Sequence, residues 1–157
     1  SIMISFEGVP AIYFNSLFGT SNDKAKYIIT GNNRDLNRYR WNHNNITEKL
    51  KNTKSKQSIF YKSITDLLHI RRKQKAFHPN GLRSGINMGP KIFCFKRQSI
   101  DKKQIIICIT NLSSKTQSTK INYKFLKWKN LLDNSSNHIL DKMIKLRPFQ
   151  TVWLSNI

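Results

Sequence analysis

The predicted fold rests on the stretch Gly8-Val9-Pro10-Ala11-Ile12-Tyr13-Phe14, near the start of the chain. A continuous apolar run of this kind is typical of a strand that is buried on both faces of a parallel sheet. Proline lacks a backbone donor, so Pro10 belongs at the strand's start and the strand is predicted over Pro10–Phe14. A parallel strand needs neighbouring strands, and this part of the sequence offers none. We therefore expect the chain to begin in the middle of a larger protein.

Residues 15–55 form a long polar segment that includes Gly19-Thr20-Ser21-Asn22-Asp23 and Thr30-Gly31-Asn32-Asn33-Arg34-Asp35-Leu36-Asn37-Arg38. Structureless connections longer than ~12–15 residues are uncommon in compact domains, so a functional loop is favoured over a simple connector. Short helical turns are predicted near Asp35–Arg40 and Ile46–Leu50. If the first of these is helical, Arg34 and Arg38 share one face of it.

Residues 56–77 change character, because apolar side chains recur there at steps of three and four. This spacing predicts an amphipathic helix that ends at His78-Pro79. The basic residues near its end suit the negative pole of a helix. An anion site is one interpretation of this cluster, and charge on a solvated face is the favoured one. The cluster consists of Arg71, Arg72, Lys73 and Lys75.

From residue 82 onward, short strands alternate with turns, which indicates a small antiparallel β-sandwich. The predicted boundary of this domain is Pro79–Asn80. Trp128 and Trp153 are expected in its core and not as platforms for a sugar. The predicted strands are Lys91–Arg97, Gln104–Thr110, Ser118–Tyr123 and Met143–Leu154, the last with Pro148 inside it.

The chain is strongly basic, with 28 Lys and Arg against 8 Asp and Glu and a formal charge of +20. Such an excess suits nucleic acid or another anionic surface. However, the basic residues are spread evenly, 14 in residues 1–78 and 14 in residues 79–157. Neither a helix–turn–helix pattern nor an interleaved aromatic–basic motif is present. Nucleic-acid binding is therefore disfavoured, although it stays open as an alternative.

The composition also bears on compartment and metals. Cys94 and Cys108 lie in apolar stretches, so two buried free thiols in a reducing cytoplasm are expected rather than a disulfide. The histidines have no metal-ligand spacing with each other or with the cysteines. No run approaches the ~18 apolar residues of a membrane span. The sequence thus predicts neither a metal site nor a membrane segment.

Side chains that could carry chemistry are few. Retaining transfer at a glycosidic bond needs two carboxyl groups ~5–5.5 Å apart, and no sequence feature pairs Asp23 with Asp35. Capping or Asx-turn roles are expected for both. Arginine differs, because its guanidinium can donate two parallel hydrogen bonds to oxygens of a sugar, carboxylate or phosphate. Arg34 and Arg38 are therefore candidate binding residues, with pairing to Asp23 or Asp35 as the open structural alternative.

Three stretches resemble the sucrose phosphorylase branch of the α-amylase superfamily: Gly8–Arg38, Leu67–Pro79 and Leu146–Leu154. The resemblance implies an α+β fold in two parts. Residues 1–79 would be the last strand, loop and helix of a TIM-type (β/α) barrel, and residues 80–157 a small antiparallel β-sandwich domain. The loop after a barrel strand opens on the face where active sites form.

In that branch, the first arginine of an Arg-Asp-x-Asn-Arg motif contacts a hydroxyl of the glucosyl unit. The resemblance therefore implies that Arg34 binds substrate, with Asp35, Asn37 and Arg38 as supporting loop residues. The branch's catalytic aspartate, glutamate and second aspartate belong to earlier barrel strands. No catalytic residue is expected within this chain, which would be inactive alone.

The implied function is a two-step, retaining transfer of glucose from sucrose, or from a related α-glucoside such as glucosylglycerate, to inorganic phosphate. No organic cofactor or metal is implied, and the partners would be the glucoside, phosphate and the remainder of the barrel. Two alternatives stay open. One is a basic nucleic-acid-binding module, and the other is a non-catalytic carbohydrate-binding β module over residues 80–157.

Overall fold

The computed structural model describes residues 1–121, 128–133, 136–137 and 143–157 and divides the chain into two compact units. The β unit combines Ser1–Pro10 with Leu67–Ile157, and the loop unit consists of Ala11–Asp66. The boundary predicted at Pro79–Asn80, between a barrel end and a β domain, stays a prediction.

Helices account for much of the first 77 residues. The polar segment predicted as a loop contains several, because its Asp and Asn side chains act as caps. Asp23 accepts a hydrogen bond from the Lys26 N–H, and Asn42 accepts from the first backbone N–H groups of the next helix. The helices are α1 (Ile2–Ser5), α2 (Phe14–Leu17), α3 (Lys24–Thr30), a first 3-10 helix (Asn33–Asn37), α4 (His43–Lys51), α5 (Lys56–Arg72) and a second 3-10 helix (Lys75–Phe77).

Two helix predictions are confirmed. The turn predicted at Ile46–Leu50 lies within α4, and the amphipathic helix predicted in residues 56–77 is α5. The short helical turn predicted near Asp35–Arg40 is confirmed for Asp35–Asn37, which lie in the first 3-10 helix, but this helix ends before Arg38.

The strand predicted at Pro10–Phe14 is also wrong. Residues 9–13 have no regular secondary structure, and α2 begins at Phe14. Val9 is 81% exposed and Tyr13 is 53% exposed, so this run is not buried on both faces. A parallel strand is stable only where neighbours satisfy its backbone groups, and none pairs with this run among the described residues.

The strands form two antiparallel sheets. The larger has the order β1-β2-β3-β8-β5-β6, and β4 pairs with β7 in the smaller. The strands are β1 (Leu82–Gly85), β2 (Ile92–Gln98), β3 (Ile105–Asn111), β4 (Gln117–Lys120), β5 (Trp128–Asn130), β6 (Ser136–Asn137), β7 (Met143–Leu146) and β8 (Thr151–Ser155).

The predicted strands agree with these, with small shifts. β2 and β3 each begin and end one residue later than predicted. β4 overlaps the first three residues of the predicted strand Ser118–Tyr123, and residues 122–123 of that prediction lie outside the described residues. The predicted Met143–Leu154 is two strands, because the turn that contains Pro148 separates β7 from β8. β1, β5 and β6 were not predicted.

The two sheets enclose an apolar core, as expected for a sandwich. Trp128 is buried there, and Trp153 is fully buried on the opposite face of the larger sheet, so the expectation that both are core residues is confirmed. The core consists of Ile92, Cys94, Ile107, Ile109, Ile121, Trp128, Ile144, Leu146, Val152 and Leu154.

Both cysteines are buried free thiols, as predicted. Cys94 pairs with Ile109 in the register of β2 and β3, whereas Cys108 pairs with Phe95. Because side chains alternate between the two faces of a sheet, the two thiols point to opposite faces and cannot form a disulfide without a register shift.

The N-terminal segment Ser1–Gly8 and the second 3-10 helix belong to the opposite face of the larger sheet. There the Phe6 ring stacks on Phe95 at 5.2 Å, and Phe77 contacts Trp153 edge-on at 4.9 Å. The segment that was predicted as the approach to a barrel strand is thus part of the β unit.

Two buried arginines hold this segment in place. Arg71 donates hydrogen bonds to the carbonyl oxygens of Ile4, Phe6 and Gly8, at 2.5, 3.0 and 2.7 Å. Arg97, which is fully buried, donates to the carbonyls of Ser5, His78 and Gly81. Both guanidinium groups lie over the ring of Phe77, at 5.5 and 5.8 Å from its centroid.

The basic cluster at the end of α5 was interpreted as charge on a solvated face, and this interpretation is wrong for Arg71. This side chain is only 7% exposed, whereas Arg72, Lys73 and Lys75 are exposed as expected. The helical spacing places Arg71 in line with the apolar side of α5, where main-chain carbonyls satisfy its donors.

Candidate functional site

The loop with the predicted binding residues is built by two consecutive helix caps. Gly31 ends α3 in the left-handed conformation, with φ of 64°, and its N–H donates to the Tyr27 carbonyl. The Asn32 side chain then caps the first 3-10 helix by accepting a hydrogen bond from the Arg34 N–H at 3.0 Å. Arg34 therefore lies in the first turn of a short, capped helix.

Asp35 fixes this helix to α3. Its carboxylate forms an ion pair with Lys26 at 2.9 Å, and the Asp23 N–H donates to the Leu36 carbonyl at 2.7 Å. A hydrogen bond from the Lys26 ammonium is the main cause that holds the pKa of the Asp35 carboxyl below its ordinary value, and a hydrogen bond from Thr30 adds to it. Asp23 caps α3, so neither of these aspartates pairs with Arg34 or Arg38.

Arg34 and Arg38 do not share a helical face. In a 3-10 helix, residues three apart align, and the helix ends at Asn37, so Arg38 leaves it with φ of −111°. Both arginines are exposed, and their guanidinium groups have no hydrogen bond or ion pair to any residue in the described part of the chain. Their donors are free for a ligand.

A buried asparagine that the sequence did not single out supports the end of this loop. Asn15 donates through its side-chain amide to the carbonyls of Asn37, at 3.4 Å, and Tyr39, at 3.0 Å. The Tyr13 hydroxyl also donates to the Asn37 carbonyl. Asn37 is thus held by its main chain, which leaves its side chain exposed.

The acidic side chains in the described part of the chain lie apart from one another. Glu7 lies in the β unit and pairs with Arg83 at 2.6 Å, while Glu48 and Asp66 lie exposed on helices. The described residues contain no group of three or more His, Cys, Asp or Glu that could hold a metal ion. None of the helices in the described ranges has both the length and the apolar character needed to cross a bilayer.

Comparison with known proteins finds relatives of one kind. A glucosylglycerate phosphorylase of Escherichia coli strain K12 is 30% identical over 155 residues, which is 98% of this chain and 27% of that protein. A glucosylglycerate phosphorylase of Spirochaeta thermophila is 32% identical over 113 residues, which is 72% of this chain and 19% of that protein. The chain thus spans about a quarter or less of these relatives. No family model matches it.

Solved structures with a similar fold are α-amylase-family enzymes. An AmyP variant in complex with maltotriose has a TM-score of 0.72 and 13% identity, over 98% of this chain and 33% of that one. A MutB variant in complex with sucrose has a TM-score of 0.67 and 13% identity, over 98% of this chain and 36% of that one. At this identity the likeness concerns the fold alone. Together, these findings confirm the resemblance to the sucrose phosphorylase-like branch of the α-amylase superfamily.

Proposed function

Since this chain resembles the sucrose phosphorylase-like branch of the α-amylase superfamily, we propose that it is the C-terminal part of a retaining glucoside phosphorylase. The whole enzyme would transfer glucose from an α-glucoside to inorganic phosphate and release glucose 1-phosphate. Within residues 1–79, the loop around Arg34 and α5 would belong to the end of a TIM-type barrel, and residues 80–157 would form the C-terminal β domain. The observation that supports this proposal is that the three matched relatives are all named glucosylglycerate phosphorylase.

Glucosylglycerate is the favoured glucoside, with sucrose as the second. Three matched curated proteins bear the name glucosylglycerate phosphorylase, and one of them aligns with 98% of this chain. The buried free thiols suit a reducing compartment, which supports a cytoplasmic location.

Arg34 is the residue proposed to contact the glucosyl unit. Its guanidinium is exposed, and it has no partner among the described residues, so it can donate to sugar hydroxyls without first breaking an ion pair. Asp35 would support it by fixing the first 3-10 helix to α3, and Asn37 and Arg38 would complete the loop. The catalytic carboxylates would come from other parts of the enzyme.

The test is the kinetics of the full-length enzyme that contains this chain. A lost hydrogen bond from a charged group costs about 1.5–3 kcal/mol, so Arg34→Ala should reduce kcat/KM for glucosylglycerate phosphorolysis roughly 10- to 100-fold. Arg40→Ala, which changes an exposed arginine of the same loop, is the matched control. Wild-type kinetics for Arg34→Ala would remove the assignment. The 157-residue chain alone should release no glucose 1-phosphate.

A further inference from the structure

The loop unit also contains a cleft whose lining residues do not include Arg34. It is a cleft of about 440 Å³ between the start of α3, the extended chain after the first 3-10 helix and the first turn of α5. This volume falls within the range of ~300–1,000 Å³ that is typical of small-molecule sites. Its walls differ in character, one aromatic and one polar.

The aromatic wall consists of Tyr39 and Trp41. Their rings meet edge to face, 4.9 Å apart and at 70°. The Trp41 indole N–H donates to the Thr20 hydroxyl at 2.9 Å, and the Tyr39 carbonyl accepts from Asn15 at 3.0 Å. The indole bond fixes the Trp41 ring, and the Asn15 bond fixes the main chain that carries Tyr39, so part of the ordering precedes ligand binding.

The polar wall consists of Asn22, Asp23 and Gln57. The Asn22 and Gln57 amides and the Tyr39 hydroxyl make no hydrogen bond to another described residue. Asp23 uses one carboxylate oxygen to cap α3, and its other oxygen has no partner in the described part of the chain. The cleft therefore presents unused donors from the amides and unused acceptors from all four groups.

This combination selects a neutral, hydroxylated ring. The C–H faces of a pyranose are apolar and gain by contact with aromatic rings, while each of its hydroxyls both donates and accepts. Asp23 and Lys24, which both line the cleft, carry opposite charges and leave it without net charge from these two side chains, which suits a neutral ligand better than a phosphate or carboxylate. Ser21, which also lines the cleft, already accepts from the Lys56 ammonium at 3.2 Å, so that cation is engaged.

We propose that this cleft binds a pyranoside, with the sugar ring against Trp41 and Tyr39 and its hydroxyls on Asn22, Asp23 and Gln57. The inference stands on the cleft's own geometry and does not depend on the role of Arg34. If the phosphorylase proposal also holds, the loop carries two separate sugar contacts.

Tryptophan fluorescence of the full 157-residue chain provides the test. Trp128 is 4% exposed and Trp153 is 0% exposed, so Trp41 is the described indole that acrylamide can reach readily. Methyl α-D-glucoside and sucrose, which are both neutral glucosides, should protect it from quenching in a saturable manner, whereas open-chain sorbitol should not. Trp41→Phe should abolish both the quenching and its protection.

Two truncations identify the polar contacts. Asn22→Ala and Gln57→Ala should each weaken binding about fivefold, as expected for one neutral hydrogen bond. Asp23→Asn should weaken it as well while keeping the cap of α3, because asparagine is an equally good N-cap. Asn45→Ala, at an exposed position of α4, is the matched control and should bind like the parent chain.

Either of two results would overturn the proposal: no saturable protection by either glucoside, or unchanged affinity in both alanine variants with native circular dichroism. If an alanine variant fails to fold, Tyr39→Phe takes its place, because it keeps the ring and removes one hydroxyl; unchanged affinity there counts against the site. Kinetics of Arg34→Ala in the full-length enzyme are measured separately, so the two proposals can fail independently.

Discussion

Arg71→Met tests whether a buried guanidinium holds the N-terminal segment on the β unit. Methionine keeps a long, unbranched side chain in the same space but removes every donor. The carbonyls of Ile4, Phe6 and Gly8 then lose the hydrogen bonds that Arg71 donates. Because α5 itself tolerates methionine as well as arginine, the loss reports on these hydrogen bonds and on the contact of the guanidinium with the Phe77 ring.

The expected loss can be worked from these contacts. A hydrogen bond to a charged group contributes about 1.5–3 kcal/mol, but water can reach carbonyls that are only partly buried and recover some of that value. The bond to Ile4 is buried, and those to Phe6 and Gly8 are partly buried. We therefore expect the free energy of unfolding to fall by about 3–5 kcal/mol. With a urea m-value of about 2 kcal/mol/M, the midpoint should fall by roughly 1.5–2.5 M.

The assay is urea unfolding followed by circular dichroism, combined with amide hydrogen exchange. Arg72→Met is the matched control, since it removes the adjacent, exposed arginine from the same helix end. Exchange should accelerate in the first eight residues of the Arg71 variant, including the Gly8 amide, which donates to the Pro79 carbonyl at 3.1 Å. Equal midpoints for the two variants, with unchanged exchange at Gly8, would refute the reasoning.

Two further predictions concern titratable groups. Burial raises the pKa of Cys94 to about 12 and also raises that of Cys108, so neither thiol should react with a thiol reagent at pH 8 until the chain is unfolded in urea. Rapid labelling of the native chain would contradict this. A hydrogen bond from the Lys26 ammonium, and to a lesser extent one from Thr30, lowers the pKa of the Asp35 carboxyl from its ordinary value of 3.8. The ionised carboxylate therefore stabilises the fold above pH 4, and this contribution is lost as the pH falls through the lowered pKa. Asp35→Asn should flatten the acid side of a melting-temperature series relative to the parent, whereas Asp66→Asn, at an exposed helix position, should not.

The β domain was largely predictable, because its signal is local. In β2 and β3, apolar residues are dense enough to predict strands within one residue of their observed bounds. The register then sends Cys94 and Cys108 to opposite faces, which accounts for the free thiols. β1 (Leu82–Gly85) was missed because it is an exposed edge strand with no apolar alternation.

The Pro10–Phe14 strand could not be judged from its own residues. An apolar, β-branched run is compatible with a strand, but the strand forms only when partners supply hydrogen bonds from elsewhere. What decides the course of the neighbouring segment is Arg71, more than sixty residues away in sequence, through its bonds to Ile4 and Gly8. No local pattern encodes such a contact.

The geometry of the loop around Arg34 was not predictable from the sequence, and the binding role of its residues stays a prediction. The motif beginning at Arg34 gave the loop, yet the choice between an α-helix and a 3-10 helix depends on the Asn32 cap and on the ion pair between Lys26 and Asp35. Tyr39 and Trp41 did carry a signal that was overlooked. Two aromatic residues spaced by one position on extended chain project to the same side.

The formal charge of the chain also differs from the charge that its surface presents. A formal +20 treats every basic residue as surface charge, yet Arg71 and Arg97 are buried and bonded to main-chain carbonyls. Carbonyl oxygens satisfy a guanidinium without any acidic partner, so a chain poor in Asp and Glu can still bury arginine. Composition therefore overstates the basic surface available to an anionic polymer. Composition also gives no sign that Arg71 and Arg97 join the first eight residues to the rest of the β unit.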